Sequence, residues 1–117
     1  MNIALMDDQR ILTDCLSCLL KKYDFVQSVR AWHHPKKFLE DRNEYEPDIL
    51  LLDVNLPGKS GLDILRTCRE MHLPARIVMI TNQGNEQYRK MCLQLGAEFF
   101  IDKTKEFEQI AGIIAGM

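Results

Sequence analysis

The sequence predicts an α/β domain: a doubly wound, open parallel sheet of five strands with five helices shared between its two faces. Three observations predict it. Short apolar runs alternate five times with longer segments of helical periodicity, the pattern of repeated strand–helix units joined by right-handed crossovers. The run at residues 49–52 is Ile-Leu-Leu-Leu, apolar on both alternating faces of a strand, as expected where helices cover a sheet from both sides. The chain has 117 residues, 46% of them apolar, enough for one core and one domain spanning 1–117.

Each element has its own signal. Residues 2–6 form a short apolar strand, after which Ile11, Leu12, Cys15, Leu16, Leu19 and Leu20 recur at helical spacing to about Tyr23. Residues 26–32 read as the second strand. Pro35, with its fixed φ, opens a helix running to about Asn43 with Phe38 and Leu39 facing inward. After the strand at 49–52, Leu56-Pro57-Gly58-Lys59-Ser60-Gly61 marks a loop, and a helix carries Leu62, Ile64, Leu65, Cys68 and Met71 until Pro74 closes it. The fourth strand covers 76–80, and the fourth helix covers 86–95 and ends at Gly96. The fifth strand covers 98–101, and a last helix runs from Lys105 to the end. There is no linker, repeat or low-complexity segment.

Composition excludes several function classes. Formal charge is −2, without a stripe of Lys or Arg, so direct nucleic-acid binding is not expected. The longest apolar run is strand-sized and no signal peptide opens the chain, so a cytoplasmic protein without a membrane partner is expected. Cys15 and Cys18 form a C-x-x-C inside a helical pattern, with no second pair and no nearby His to complete a zinc site. Together with Cys68 and Cys92 they are expected to be buried or half-buried thiols of a reducing compartment. His33, His34 and His72 read as solvated surface residues.

Ligands of open parallel sheets bind outside the carboxyl ends of the strands, so the endings decide the chemistry. The first strand ends in Asp7 and Asp8, the third in Asp53, the fourth in Thr81, and the fifth in Asp102 followed by Lys103. The second runs into Trp32 and His33 without an obvious catalytic group and should be the sheet edge. Three carboxylates at one mouth repel each other unless a cation joins them. Oxygen ligands without His or Cys favour a hard ion, and Mg²⁺ takes one or two carboxylates, waters and a phosphate oxygen. With Lys103 opposite, two sources of positive charge would face a phosphoryl group in transfer, for which an Asp carboxylate can be the nucleophile. Taken singly, each acid could be a cap or turn residue, Thr81 a helix cap, and Lys103 an ordinary surface cation. The concurrence of four strand ends carries the reading.

Asp7-Asp8, Asp53, Thr81 and Lys103, each after its own strand, together resemble the receiver domain of two-component response regulators over essentially the whole chain. The segment from Asp53 to Gly61 is similar to that family's phosphorylation loop, and Leu56 to Leu65 is most similar to receivers of the NarL/LuxR type. The resemblance implies a CheY-like, flavodoxin-like strand order 2-1-3-4-5. It implies Asp53 as phosphoacceptor, with Mg²⁺ held by Asp8, Asp53 and the main-chain carbonyl of Asn55, and by Asp7 through water. Lys103 would pair with Asp53 and then with the phosphoryl oxygen, Thr81 would be the switch hydroxyl, and Phe100 the switch aromatic. A plain core phenylalanine beside Phe99 is the other reading of Phe100.

Implied partners are a sensor histidine kinase or phosphotransfer protein docking near the first helix, and a C-terminal DNA-binding output domain outside this chain. The receiver would catalyse only its own phosphorylation and dephosphorylation. The fourth helix, fifth strand and fifth helix would carry the change to the output. Phe107, Ile110, Ile113 and Ile114 give the last helix more apolar residues than a core stripe needs, which suggests a partner or homodimer contact.

Two positions depart from the family. Asn82 stands where Ala or Gly is usual and would narrow access to the aspartate, and Thr104 stands where Pro is common after the lysine. They motivate an alternative, a receiver-like protein-interaction module that signals without phosphate. A more distant alternative, a haloacid dehalogenase-type phosphohydrolase, needs a second Asp two residues after the nucleophile, where this chain has Asn55. A nucleotide-binding module lacks its glycine-rich phosphate loop.

Overall fold

A computed structural model describes residues 1–41, 43–56, 59–81, 86–103 and 109–117, with Asn55 and Lys59 described in backbone only. Its elements are β1 (Asn2–Met6), α1 (Arg10–Leu20), β2 (Ser28–Trp32), α2 (Pro35–Asp41), β3 (Ile49–Asp53), β4 (Asn55–Leu56), β5 (Lys59–Ser60), α3 (Gly61–Glu70), β6 (Arg76–Thr81), α4 (Glu86–Gln94), β7 (Phe99–Asp102) and α5 (Ile110–Ala115). Five strands form one parallel sheet in the order β2-β1-β3-β6-β7, which is 2-1-3-4-5 among the sheet strands, with β2 at an edge as expected.

Alternation along the central strands divides the core in two. Ala4 and Met6, Leu50 and Leu52, and Ile77 and Met79 point to one face, where they meet Phe38 of α2, Ile64, Leu65 and Cys68 of α3, and Cys92 of α4. Ile3 and Leu5, Ile49 and Leu51, and Val78 and Ile80 point to the other, against Leu16 and Leu20 of α1 and Ile110 and Ile114 of α5. Burying each such aliphatic side chain stabilises the fold by about 1.5–3 kcal/mol.

Several details correct the sequence reading. The loop after Asp53 contains a two-residue antiparallel hairpin, with Asn55 opposite Ser60 and Leu56 opposite Lys59. Runs this short carry no periodicity. Gly61 then packs so tightly that a Cβ would run into the Asp53 carbonyl oxygen and lie 2.7 Å from Val54 Cα. α3 stops at Glu70, before Pro74: His72 takes a left-handed φ of 54°, while the Leu73 N–H donates to Cys68 O and the His72 N–H to Arg69 O. α4 ends in the same way at Gly96, φ 102°, with Ala97 and Gly96 donating to Cys92 and Leu93 carbonyls.

Cys15 and Cys18 are exposed, against expectation, because the core-facing stripe of α1 runs through Thr13, Leu16 and Leu20. Nor does the described part of α5 offer a surplus apolar surface. Ile110 and Ile114 are buried, and Ile113 packs half-buried on the same cluster. The exposed large apolar side chains among the described residues are Ile11, Tyr23, Tyr88, Leu93 and Phe99. Phe107 and the expected helix start at Lys105 lie outside the described residues, as do Asn82 and Thr104. Among the described residues, no helix is long and apolar enough to cross a membrane.

Candidate functional site

The ladder of the sheet places the strand-end residues before any side chain does. Asp7, just past β1, donates its N–H to the O of Trp32, the last residue of β2, at 3.1 Å, so the ladder holds the first residue beyond β1. Asp53 is the last residue of β3, opposite Ile80, and the next amide, Val54, donates to Ile80 O at 2.9 Å. Thr81 closes β6 opposite Asp102, and Lys103 donates its N–H to Thr81 O at 2.6 Å. Parallel strands in register thus present Asp7, Asp53, Thr81 and Lys103 at the carboxyl end of the sheet.

Lys103 organises the centre. Its Nζ lies 2.7 Å from Asp7 Oδ2, 3.4 Å from Asp53 Oδ2 and 3.4 Å from Gln9 Oε1, three acceptors for the three hydrogens of an ammonium. The three charged side chains are almost fully enclosed, with 3% of Lys103, 1% of Asp7 and 4% of Asp53 exposed. A buried carboxylate without a partner is costly, so each charge depends on the others. The expected Lys103–Asp53 pair is present, but the shorter contact goes to Asp7, the more deeply enclosed acid. Asp7 also accepts from the Gln9 N–H at 2.9 Å through Oδ1, an Asx-type turn that leads into α1. Of the two structural readings of Asp7, turn residue and helix cap, the turn is the one seen: its bond goes to the amide of Gln9, the N-cap residue of α1, and that helix has no side-chain cap.

Asp8 completes the cluster from the exposed side. Asp7, Asp8 and Asp53 each offer a carboxylate oxygen within 4.8 Å of the others. Three carboxylates against one ammonium leave two negative charges in excess, and the donors are all oxygen. That set fits a hard divalent cation. Asn55 begins β4 two residues after Asp53. Thr81 is buried, and Phe100 is half-buried against the core cluster under α2, α3 and α4, whereas its neighbour Phe99 is exposed.

Two contributors were not foreseen. Gln9 gives Lys103 its third acceptor, and nothing in its type or spacing announces that. His33 is not a plain solvated residue: it is half-buried, with Nδ1 2.8 Å from the Asp7 carbonyl oxygen. A carbonyl can only accept, so Nδ1 carries the proton. His33 follows the second strand, where the strand-end rule reached it and passed it over as offering no catalytic group.

Fold and site together define a phospho-accepting signalling domain, and the comparisons agree. The family described as response regulator receiver domain matches residues 3–115, and the chain belongs to that family, the phospho-accepting receivers of two-component signalling. Among its relatives, the transcriptional regulatory protein CpxR of Escherichia coli K12 is 38% identical over 101 residues, 86% of this chain and 42% of that protein. The DNA-binding transcriptional activator EvgA of the same strain is 25% identical over 97% of this chain and 55% of its own length. The chain thus spans about half the length of these relatives or less. The BeF3-activated receiver domain of RstA from Klebsiella pneumoniae superposes with a TM-score of 0.85 at 26% identity, covering 99% of this chain and 94% of that one. A receiver domain from Colwellia psychrerythraea 34H reaches 0.89 at 18% identity over 99% and 96%, a likeness of fold.

Proposed function

We propose that Asp53 is the phosphoacceptor and that Asp8, Asp53 and the main-chain carbonyl of Asn55, with Asp7 acting through water, hold Mg²⁺ beside it. The observation that carries this reading is the buried Asp53 carboxylate, 3.4 Å from the Lys103 ammonium and within 4.8 Å of two further acids. When bound, the cation would neutralise oxygens of the incoming phosphoryl group. The chain's own residues do the rest. An Asp53 oxygen attacks phosphorus, the donor's phosphorus–nitrogen bond breaks, and the donor imidazole leaves with a proton. Lys103, already poised between Asp7 and Asp53, donates to a phosphoryl oxygen as charge builds there. Thr81, at the adjacent strand end, offers a hydroxyl to the new phosphate, and Phe100 of β7 follows that movement.

Such a domain catalyses only its own phosphorylation and dephosphorylation, in the cytoplasm. Its donor is the phosphohistidine of a sensor kinase or phosphotransfer protein. Its output is a DNA-binding domain, such as the name of the DNA-binding transcriptional activator EvgA describes, or a homodimer. The test is incubation with acetyl phosphate or phosphoramidate and Mg²⁺, followed by intact mass. The wild-type chain gains one phosphoryl group and Asp53→Asn gains none. An unmodified wild type would overturn the proposal and leave a phosphate-independent interaction module.

A further inference from the structure

The four thiols fall into two chemical classes. Cys68 and Cys92 are buried, and burial pushes both thiols up, Cys68 to about 11, so they are poor nucleophiles shielded from solution. Cys15 and Cys18 are exposed and in no disulfide. They stand three residues apart in α1, so consecutive turns present them on the same side of the helix, away from buried Thr13, Leu16 and Leu20. Receiver chemistry uses neither. Cys15 nonetheless shares an open cleft of about 660 Å³ with Asp8, Gln9, Arg10, Ile11 and Leu12, at the acidic end of the sheet.

We propose that Cys15 and Cys18 form a reversible dithiol–disulfide couple on the exposed side of α1, oxidised by low-molecular-weight disulfides. One cysteine, as thiolate, attacks a sulfur of the small disulfide, giving a mixed disulfide and releasing one small thiol. The other cysteine, its proton lost to solvent, displaces the second small thiol. The Cys15–Cys18 bond forms while the oxidant's sulfur–sulfur bond is reduced to two thiols. Neighbouring turns of a helix hold such Cβ atoms about 5–6 Å apart, whereas a disulfide needs about 3.5–4.5 Å. Closure therefore tightens α1 locally, and the strain makes the bond readily reopened by a thiol pool. The tightened turn borders the cleft that Cys15 shares with Asp8.

The experiment exposes the full chain at low concentration to a series of oxidised-to-reduced glutathione ratios, followed by acid quench, alkylation, intact mass and peptide mapping. The expected product has lost two hydrogens before labelling, with Cys15 and Cys18 both protected from alkylation and Cys68 and Cys92 alkylated as free thiols without glutathione, and excess reduced glutathione restores it. Cys15→Ser and Cys18→Ser each halt at a mixed disulfide carrying one glutathione. Circular dichroism should confirm that both variants remain folded, as substitution on an exposed helix face allows. Persistent glutathione adducts on the wild type, covalent dimers in place of the internal bond, or no oxidation at any ratio would each overturn the proposal.

Discussion

Lys103 is the residue on which the acidic centre turns. It touches Asp7 and Asp53 inside an enclosure that water barely enters, so its removal leaves two buried carboxylates without their common partner. Lys103→Met should destabilise the metal-free protein by about 3–5 kcal/mol at neutral pH, read as a lower urea midpoint with an unchanged slope. Adding Asp53→Asn to that variant should return part of the loss, because one of the two buried negative charges is gone. Much of this centre was legible from strand endings, since a parallel sheet in register brings such residues together. The division of Lys103 between two acids was not legible. It depends on which carboxylate lies deeper and on the Asx turn at Asp7, and both are set by packing across 96 residues of sequence.

At the scale of elements, the two left-handed helix ends make a paired prediction of opposite sign. His72 and Gly96 occupy the same position in equivalent terminators, but only glycine adopts a positive φ without steric cost. His72→Gly should stabilise by roughly 0.5–1 kcal/mol, the left-handed strain relieved less the extra freedom of the unfolded glycine. Gly96→Ala should destabilise by more than about 1 kcal/mol, since its Cβ would also sit 2.8 Å from Arg69 Nε. Thermal melts of the two variants beside wild type check both signs. Gly96 was visible in the sequence as a helix stop. His72 was not, because a histidine takes that conformation only occasionally, and Pro74 drew the expected boundary past it.

Asp41 ties α2 to the edge strand and gives the element scale its pH dependence. Its carboxylate accepts from Trp32 Nε1 at 3.0 Å and pairs with Lys37 at 3.2 Å and Arg30 at 3.3 Å. The Trp32 hydrogen bond foremost, then Lys37 and Arg30, hold its pKa below the ordinary value, against the opposing effect of burial. A folded-state pKa below the unfolded one means the stabilisation is complete above the unfolded value of about 3.9 and disappears as pH falls through the lower folded value. Asp41→Asn should therefore lose stability at neutral pH and show a shallower decline in acid. Urea midpoints measured between neutral pH and about pH 3 compare the two slopes.

For the whole molecule, the surplus charge at the mouth of the sheet sets how stability responds to metal. Alternating apolar residues made the five-stranded layout legible, and the two core clusters on either side of β3 show why: each central strand feeds both faces with aliphatic side chains. That same architecture forces Asp7, Asp8 and Asp53 together, with Lys103 supplying only one positive charge against three negative ones. The folded chain carries this repulsion, whereas an unfolded chain disperses the carboxylates. A divalent cation that binds only the gathered acids must therefore raise the unfolding temperature, by an amount fixed by its concentration relative to Kd. At a hundredfold excess the gain is about 2.7 kcal/mol, on the order of 10 °C for a domain of this size. Asp8→Asn and Asp53→Asn should each reduce the Mg²⁺-induced shift severalfold, and EDTA should return wild type to its metal-free melt. Monovalent salt at matched ionic strength is the control, because screening weakens the repulsion without filling the site. An equal shift with NaCl, or a full Mg²⁺ shift in both variants, would mean that the acidic cluster does not hold the ion.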